Sequence, residues 1–446
     1  MNANNLIVSK FGGTALSSSE MVKRTINVIN SDPNRKYIVV SSPGKRDKND
    51  VRVTDLLYMC HSRYTKKENF TDALNEVQAR YTEIISGLGI NFDIKSEIDS
   101  IKQKLFTGKS KDFIASRGEY IMAKILAQYL GREFVDAAEL VFFNRDESLD
   151  EAKTYEAAAK RLEGLESAVI PGFYGTIAST EIHTFPRGGG DVSGAIIARA
   201  VGAGLCEKWS ETTEIFSADP SIVENPALVR NVTYDELREL TCMGIKVIFE
   251  DVILLLQKVG IPISIRNIFH PDDPGTRVMS KLPEELKRKV AACIVGQRHY
   301  KVLKIEKFGL NRMHGVGEKV FGVFAKRGIS CEHYISGIYN FAIFLKNMMF
   351  DLKRNEILSE IRAAIQPEGI QVEKDISLIA IIGEGMGTVK GIFAQIFDAI
   401  AAENVKVQMI NQGADDLNII IGFKDSDYEK VTKALYRVMI LDQDKI

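Results

Sequence analysis

Leu6-Ile-Val-Ser-Lys-Phe-Gly-Gly-Thr14 reads as a short apolar strand that runs straight into a lysine and two glycines, with a helix start, Ser17-Ser-Ser-Glu20, behind it. This order sets one cation and bare backbone N–H groups at the carboxyl end of a strand, where anionic ligands bind in open α/β sheets. Gly12 and Gly13 let backbone amides approach a phosphate without a Cβ in the way. The same pair on its own also suits a plain strand-to-helix turn. GxxxxGK[ST] is absent, so this is not a P-loop, and a phosphate site must draw on other segments too.

A second glycine turn, Phe185-Pro-Arg-Gly-Gly-Gly-Asp191, precedes the helical run Val192-Ser-Gly-Ala-Ile-Ile-Ala-Arg-Ala-Val201. It delivers N–H groups and the positive end of a helix dipole to an anion. Between the two turns lie apolar runs that suit strands buried on both faces of a mostly parallel sheet: 36–42, 168–173 and, later, 261–266. Helical patterns alternate with them, and the polar stretch 62–112 reads as a helical excursion.

The chain has 446 residues, more than one domain usually holds, and 45% hydrophobic residues suffice for sizeable cores. Lys plus Arg number 58 against 59 Asp plus Glu, so no basic excess advertises nucleic acid. No apolar run is long enough for a bilayer. The N-terminus has no basic region followed by an apolar one, so no signal peptide is read. Cys60, Cys206, Cys242, Cys293 and Cys331 stand far apart with no CxxC pair, and the six histidines show no ligand spacing. A zinc site is not expected, and a reducing cytoplasm is.

After about residue 290 a repeat appears. Gly328-Ile-Ser-Cys-Glu-His-Tyr-Ile-Ser-Gly337 recurs 76 positions on as Asn404-Val-Lys-Val-Gln-Met-Ile-Asn-Gln-Gly413. The same offset pairs 340–345 with 416–421, and Val302 and Ile305 with Leu378 and Ile381. Each copy reads strand, helix, strand, strand, helix, which predicts two tandem ferredoxin-like βαββαβ modules. The expected divisions are 1–292, 293–372 and 373–446, with a strand near 292–298 free to pair with the second module.

The opening turn, the 185–191 loop and the doubled module together resemble the aspartokinases, and the resemblance covers nearly the whole chain. It implies an amino-acid-kinase fold, a mostly parallel sheet sandwiched by helices, followed by two ACT modules that bind amino-acid effectors and form dimer or tetramer contacts. It implies transfer of the ATP γ-phosphoryl group to the side-chain carboxylate of L-aspartate, the first step toward lysine, threonine and methionine. Mg²⁺ is implied with ATP, because the β/γ charge must be neutralised; no carboxylate identifies itself as a protein ligand for it. No second nucleotide-binding domain is expected beyond Ile446.

On this resemblance Lys10 holds the transferred group and Asp191 orients Lys10, although an acid at 191 also suits a helix N-terminus. Arg187 grips a substrate carboxylate, its planar fork suiting the task. Glu119, at the head of a helix, matches the residue that holds the α-ammonium, although an acid there also serves a helix dipole. Ser41 and Thr54 match substrate-site hydroxyls. Gly190 stands where the family usually has serine. Nucleotide contacts are implied for Lys10, Gly12, Gly13, Ser210, Glu211, Phe216, Asp219 and Lys246. Ser210 and Glu211 replace a threonine-aspartate pair, Phe216 replaces a tyrosine, and Ser221 replaces an arginine.

The effector site is implied at His314, Gly315, Val316, Ser330, Cys331 and Glu332. An acid at 332 suits lysine and does not exclude threonine; it also fits a solvent-facing edge. Asn411 and Gln412 match a family pair at the module interface, and either complete the pocket or pair strands. Two rivals are other amino-acid kinases, for glutamate, N-acetylglutamate or UMP, and a non-catalytic amino-acid sensor. The tandem modules and the opening turn oppose the first; the charges brought from distant segments oppose the second.

Overall fold

A computed structural model of the chain describes residues 5–178, 181–186, 188–211, 214–287, 290–346, 348–413 and 416–442, apart from the side chain at 388. The described residues form two compact units. The first comprises residues up to 215 with 229–241 and 246–286; the second comprises 216–228, 242–245 and the chain from 287.

The first unit is built on an eight-stranded sheet with the order Glu133–Phe134, Ala168–Pro171, Arg35–Val40, Ile7–Phe11, Leu205–Ser210, Ile263–Asn267, Thr276–Met279, Asn231–Thr233. The first six strands run parallel, and Thr276–Met279 turns back antiparallel to Ile263–Asn267. Every residue of Ile7–Phe11 is buried, as a central parallel strand covered on both faces requires. The expected helical excursion is present as Val53–Thr65, Thr71–Leu88, Ile94–Phe106 and Lys111–Leu130. Ser18, Asp93 and Ser110 cap helix starts through their side chains. No helix among the described residues is long and apolar enough to cross a membrane.

Strand register decides what the sheet carries. Ser9 lies beside Glu207, and Lys10 beside Lys208. Because side chains alternate, the two lysines share one face and Ser9 shares the other with Glu207. On that second face Glu207 is 2% exposed. It accepts from Ser9 Oγ at 2.7 Å, from Arg35 Nε at 2.7 Å and from the Trp209 indole N–H at 2.9 Å. A buried acid is tolerable here because a buried arginine neutralises it and donors fill its lone pairs.

The second unit holds one six-stranded sheet in the order His333–Ser336, Asn340–Leu345, Cys293–Glu306, Gly369–Ile382, Asn418–Lys424, Met409–Gln412. Both copies of the repeat contribute, as the ferredoxin-like reading expects. Two long strands bind them. Cys293–Glu306 and Gly369–Ile382 pair antiparallel on both sides of a register irregularity around Tyr300, so Cys293 meets Ile382 and Glu306 meets Gly369. Helices Val316–Ala325 and Arg354–Ile365 pack on the first half, and Ile392–Ala402 and Tyr428–Tyr436 on the second.

Glu207→Ala leaves the Arg35 guanidinium buried without its countercharge. Urea unfolding should register a loss of about 3–5 kcal/mol; a loss under about 1 kcal/mol would show that the network contributes little.

Candidate active site

The first unit contains a cleft of about 1490 Å³ at the carboxyl ends of the central strands. Lys10, Gly13, Ser41, Thr54, Glu119, Asp191 and Glu211 all line it. They come from segments scattered over two hundred residues, and the sheet order brings them together. Gly12, Ser210 and Lys246 belong to the same unit but are not among the lining residues. Phe216 and Asp219 lie in the second unit, where Asp219 accepts from the Ser221 amide and hydroxyl. Arg187 lies outside the described residues.

The first glycine turn is held by backbone. Gly12 N donates to Trp209 O at 3.0 Å, and Gly44 N donates to Gly13 O at 2.8 Å. The two turns touch so closely that a Cβ on Gly44 would fall 2.5 Å from the Gly13 carbonyl carbon. Arg80, 1% exposed, staples the segments behind them. It donates to Ser17 O and Val51 O at 3.1 Å and to Gly44 O at 2.5 Å, and pairs with Asp50 at 2.9 Å. The charged loop 43–53 is thus a pinned wall of the cleft.

The second glycine turn sets Asp191 in the first turn of the helix Gly189–Ala200. Gly190 and Gly194, one helical turn apart, leave a groove for the Lys10 stem: a Cβ at either would stand 3.2 or 3.1 Å from it. Lys10 Nζ lies 2.6 Å from Asp191 Oδ1. On the other oxygen, Lys208 Nζ donates at 2.6 Å, and it also donates to Val247 O at 2.5 Å. Burial alone would raise the Asp191 carboxyl, but the two ammonium groups outweigh it and hold the group at about 2. Asp191 is therefore ionised, with one ammonium group at each of its oxygens.

Glu119 shows the opposite balance. It stands in the middle of the helix Lys111–Leu130 and not at a helix head as the sequence suggested, because that helix starts at the Ser110 cap. It is 4% exposed, and its Oε1 accepts from Ser42 N at 3.0 Å. Oε2 has no partner among the described residues. Burial lifts the carboxyl to about 7, against the Ser42 hydrogen bonds and the charge of Lys10. Ser42 Oγ also meets Thr54 Oγ1 at 2.6 Å. A buried, half-satisfied acid that faces a cleft is shaped to receive a cationic donor such as an ammonium group. Lys10 and Glu119 thus set a cation and a half-satisfied buried acid in one cleft.

The sequence reading missed Lys208, Ser42 and Arg80. Lys208 had one legible signal, a lysine inside the otherwise buried strand Cys206-Glu-Lys-Trp209. Ser42 adjoins the predicted Ser41. Arg80 had no signal, because its partners are carbonyls and one carboxylate, Asp50, far from it along the chain.

In the second unit the helix Val316–Ala325 opens behind Gly315, which takes φ 69°. His314, Gly315, Ser330 and Glu332 are exposed. Glu332 accepts from the Tyr300 hydroxyl, which burial and this acid push upward. Glu332 N donates to Phe344 O, extending the edge strand His333–Ser336. Asn411 and Gln412 sit on Met409–Gln412, the opposite edge of the sheet.

Comparison with known proteins agrees with this geometry. Residues 5–267 match the model of the amino acid kinase family, and residues 379–439 match an ACT domain model. The chain is 30% identical to aspartokinase 3 of Bacillus subtilis (strain 168), with 96% of this chain and 98% of that protein covered. The crystal structure of Clostridium acetobutylicum aspartate kinase superposes with a TM-score of 0.91 at 39% identity, covering 97% and 99%. A bifunctional aspartokinase/homoserine dehydrogenase of Zea mays is 26% identical over 98% of this chain, which spans about half that protein's length.

The raised Glu119 carboxyl disfavours the ionised folded state. The penalty is absent below the ordinary glutamate value of 4.5, builds as pH rises toward about 7, and is complete above it. Glu119→Gln should match the parent at pH 4 and exceed it by up to about 3 kcal/mol at pH 8 in urea unfolding without ligand. Equal stability at pH 8 would show that the acid is not destabilised.

Proposed function

The chain belongs to the aspartokinases of the amino acid kinase family, and on that premise we propose that it transfers the γ-phosphoryl group of Mg-ATP to the side-chain carboxylate of L-aspartate, giving 4-phospho-L-aspartate. The observation that carries this reading is the shared cleft of the Lys10–Asp191 pair and the unfilled Glu119 carboxylate.

The acceptor carboxylate is ionised at neutral pH, so no general base is needed. Catalysis then rests on positioning and charge neutralisation. The Lys10 ammonium meets the equatorial oxygens of the phosphoryl group as their charge grows. Asp191 keeps that ammonium aimed. The backbone at Gly12 and Gly13 approaches the phosphates. Glu119 receives the α-ammonium of aspartate, with Ser41 and Thr54 beside it, and Arg187 takes a carboxylate. The remaining nucleotide contacts are assigned to Ser210, Glu211, Phe216, Asp219 and Lys246. Mg²⁺ arrives as part of the nucleotide substrate and offsets the β/γ charge.

The second unit is proposed as the effector sensor. His314, Gly315 and Val316 present helix N–H groups to an amino acid's carboxylate, and Ser330, Cys331 and Glu332 face its ammonium side. Lysine, threonine or both are the expected effectors, acting by feedback inhibition on a biosynthetic route to lysine, threonine and methionine. Because Ser330–Glu332 and Asn411–Gln412 border opposite edges of one sheet, a pocket that uses both draws them from different copies. This supports a homodimer or tetramer formed through the ACT modules.

Hydroxamate trapping of acyl phosphate, with L-aspartate and Mg-ATP, tests the reaction. The parent should turn over, and Lys10→Ala should lose at least about 100-fold in kcat while keeping its circular dichroism. Near-normal turnover in that variant would remove Lys10 from its role. Titrating lysine and threonine, singly and together, should depress the rate, and Glu332→Ala should weaken the response. An unchanged rate at millimolar effector would discard the sensor assignment.

A further inference from the structure

Lys208 has no part in the mechanism above, yet its ammonium holds the carboxylate that aims Lys10. It does not line the cleft, and its side chain is 13% exposed. We propose that Lys208 is a positioning residue for phosphoryl transfer: it occupies the second oxygen of Asp191, so that Lys10 keeps an uncompensated charge and a fixed direction toward the transferred group. The proposal rests on the aspartate kinase reading.

Register carries the first part of the argument. Lys10 and Lys208 are neighbours on adjacent parallel strands and project from the same face. Each reaches a different oxygen of Asp191 at 2.6 Å. A carboxylate held by Lys10 alone would cancel its charge. Shared between two ammonium groups, it leaves the trio with one net positive charge. Lys10 is the only basic member that borders the cleft, so that field is expressed where the phosphoryl charge develops. Burying two ammonium groups beside each other is costly, and neutral donors would satisfy Asp191 at lower cost if support alone were needed.

The second part is mechanical. The Lys208 ammonium also donates to the carbonyl of Val247. Two residues on, the Phe249 ring lines the cleft and lies so close to Gly188 that a Cβ there would fall 2.1 Å from it. One ammonium group therefore ties three elements together: its own strand, the helix start that bears Asp191, and the cleft wall at 247–249. Releasing it would let Asp191 turn toward Lys10 and shift the wall, and small misplacements at a transfer site are expensive in rate.

The test uses the full-length protein in the hydroxamate assay. Lys208→Met keeps the buried stem and removes the charge. Its kcat should fall about 100-fold, with the KM for aspartate and for ATP held within about twofold. Lys208→Arg restores charge and donors and should recover most of the lost rate. A Met variant within about threefold of the parent kcat, a change confined to KM, or equal losses in the Met and Arg variants would each overturn the proposal. Should the Met variant not fold, Lys208→Gln takes its place: a fall in kcat at constant KM supports the proposal, and parental kcat overturns it. A parent chain that forms no hydroxamate with aspartate removes the kinase reading itself, and this assignment with it.

Discussion

One buried carboxylate organises the site. Asp191 stands between two ammonium groups at 2.6 Å, and everything around it serves to make that arrangement affordable. An isolated ion in such surroundings would neutralise itself; paired on both oxygens, the acid stays ionised and the lysines stay where they are. The parallel register of Ile7–Phe11 with Leu205–Ser210 sets the two lysines side by side. The glycine turn at 188–190 then brings the helix start to them. Neither element alone brings the three charges together.

Close backbone approach is the second constraint. Gly13 and Gly44 touch through main chain, and Gly190 with Gly194 makes room for the Lys10 stem. A side chain at these positions would push the parts of the cleft away from one another. Arg80 answers the complementary need. It gathers the carbonyls of Ser17, Gly44 and Val51, and so holds the charged loop 43–53 in place. At Gly190 a Cβ would press on both Ser41 Oγ and the Lys10 stem.

The second unit uses a different principle. Its modules are not beads on a string, because two fourteen-residue strands run through both and make one sheet. The sheet also leaves two edges, His333–Ser336 and Met409–Gln412, as far apart as its width allows. Ser330–Glu332 and Asn411–Gln412 border these opposite edges, so one copy of the chain does not bring them together.

Much of this was legible along the chain. Apolar runs that end in glycine turns announced a parallel α/β sheet, and a repeat in register announced the doubled module. Lys10 and Asp191 could be picked out, because a charge beside a glycine turn or at a helix start is a local signal; Glu119 was reached only through the family resemblance, since it stands in the middle of the helix Lys111–Leu130. What the linear order could not say was which charges meet. Lys208 became a partner of Asp191 only through strand register. Ser42 became the donor to Glu119 only when Val40 and the helix Lys111–Leu130 packed together, and Arg80 found its carbonyls only across three loops. Lys246, equally basic and near a turn, lies outside the lining of the cleft. Residue type and periodicity decide local conformation and burial, so sequence alone determined the elements, their class and the kind of chemistry. Electrostatic pairing falls off over a few ångströms of space, whatever the separation along the chain, so only the tertiary structure decided the partners.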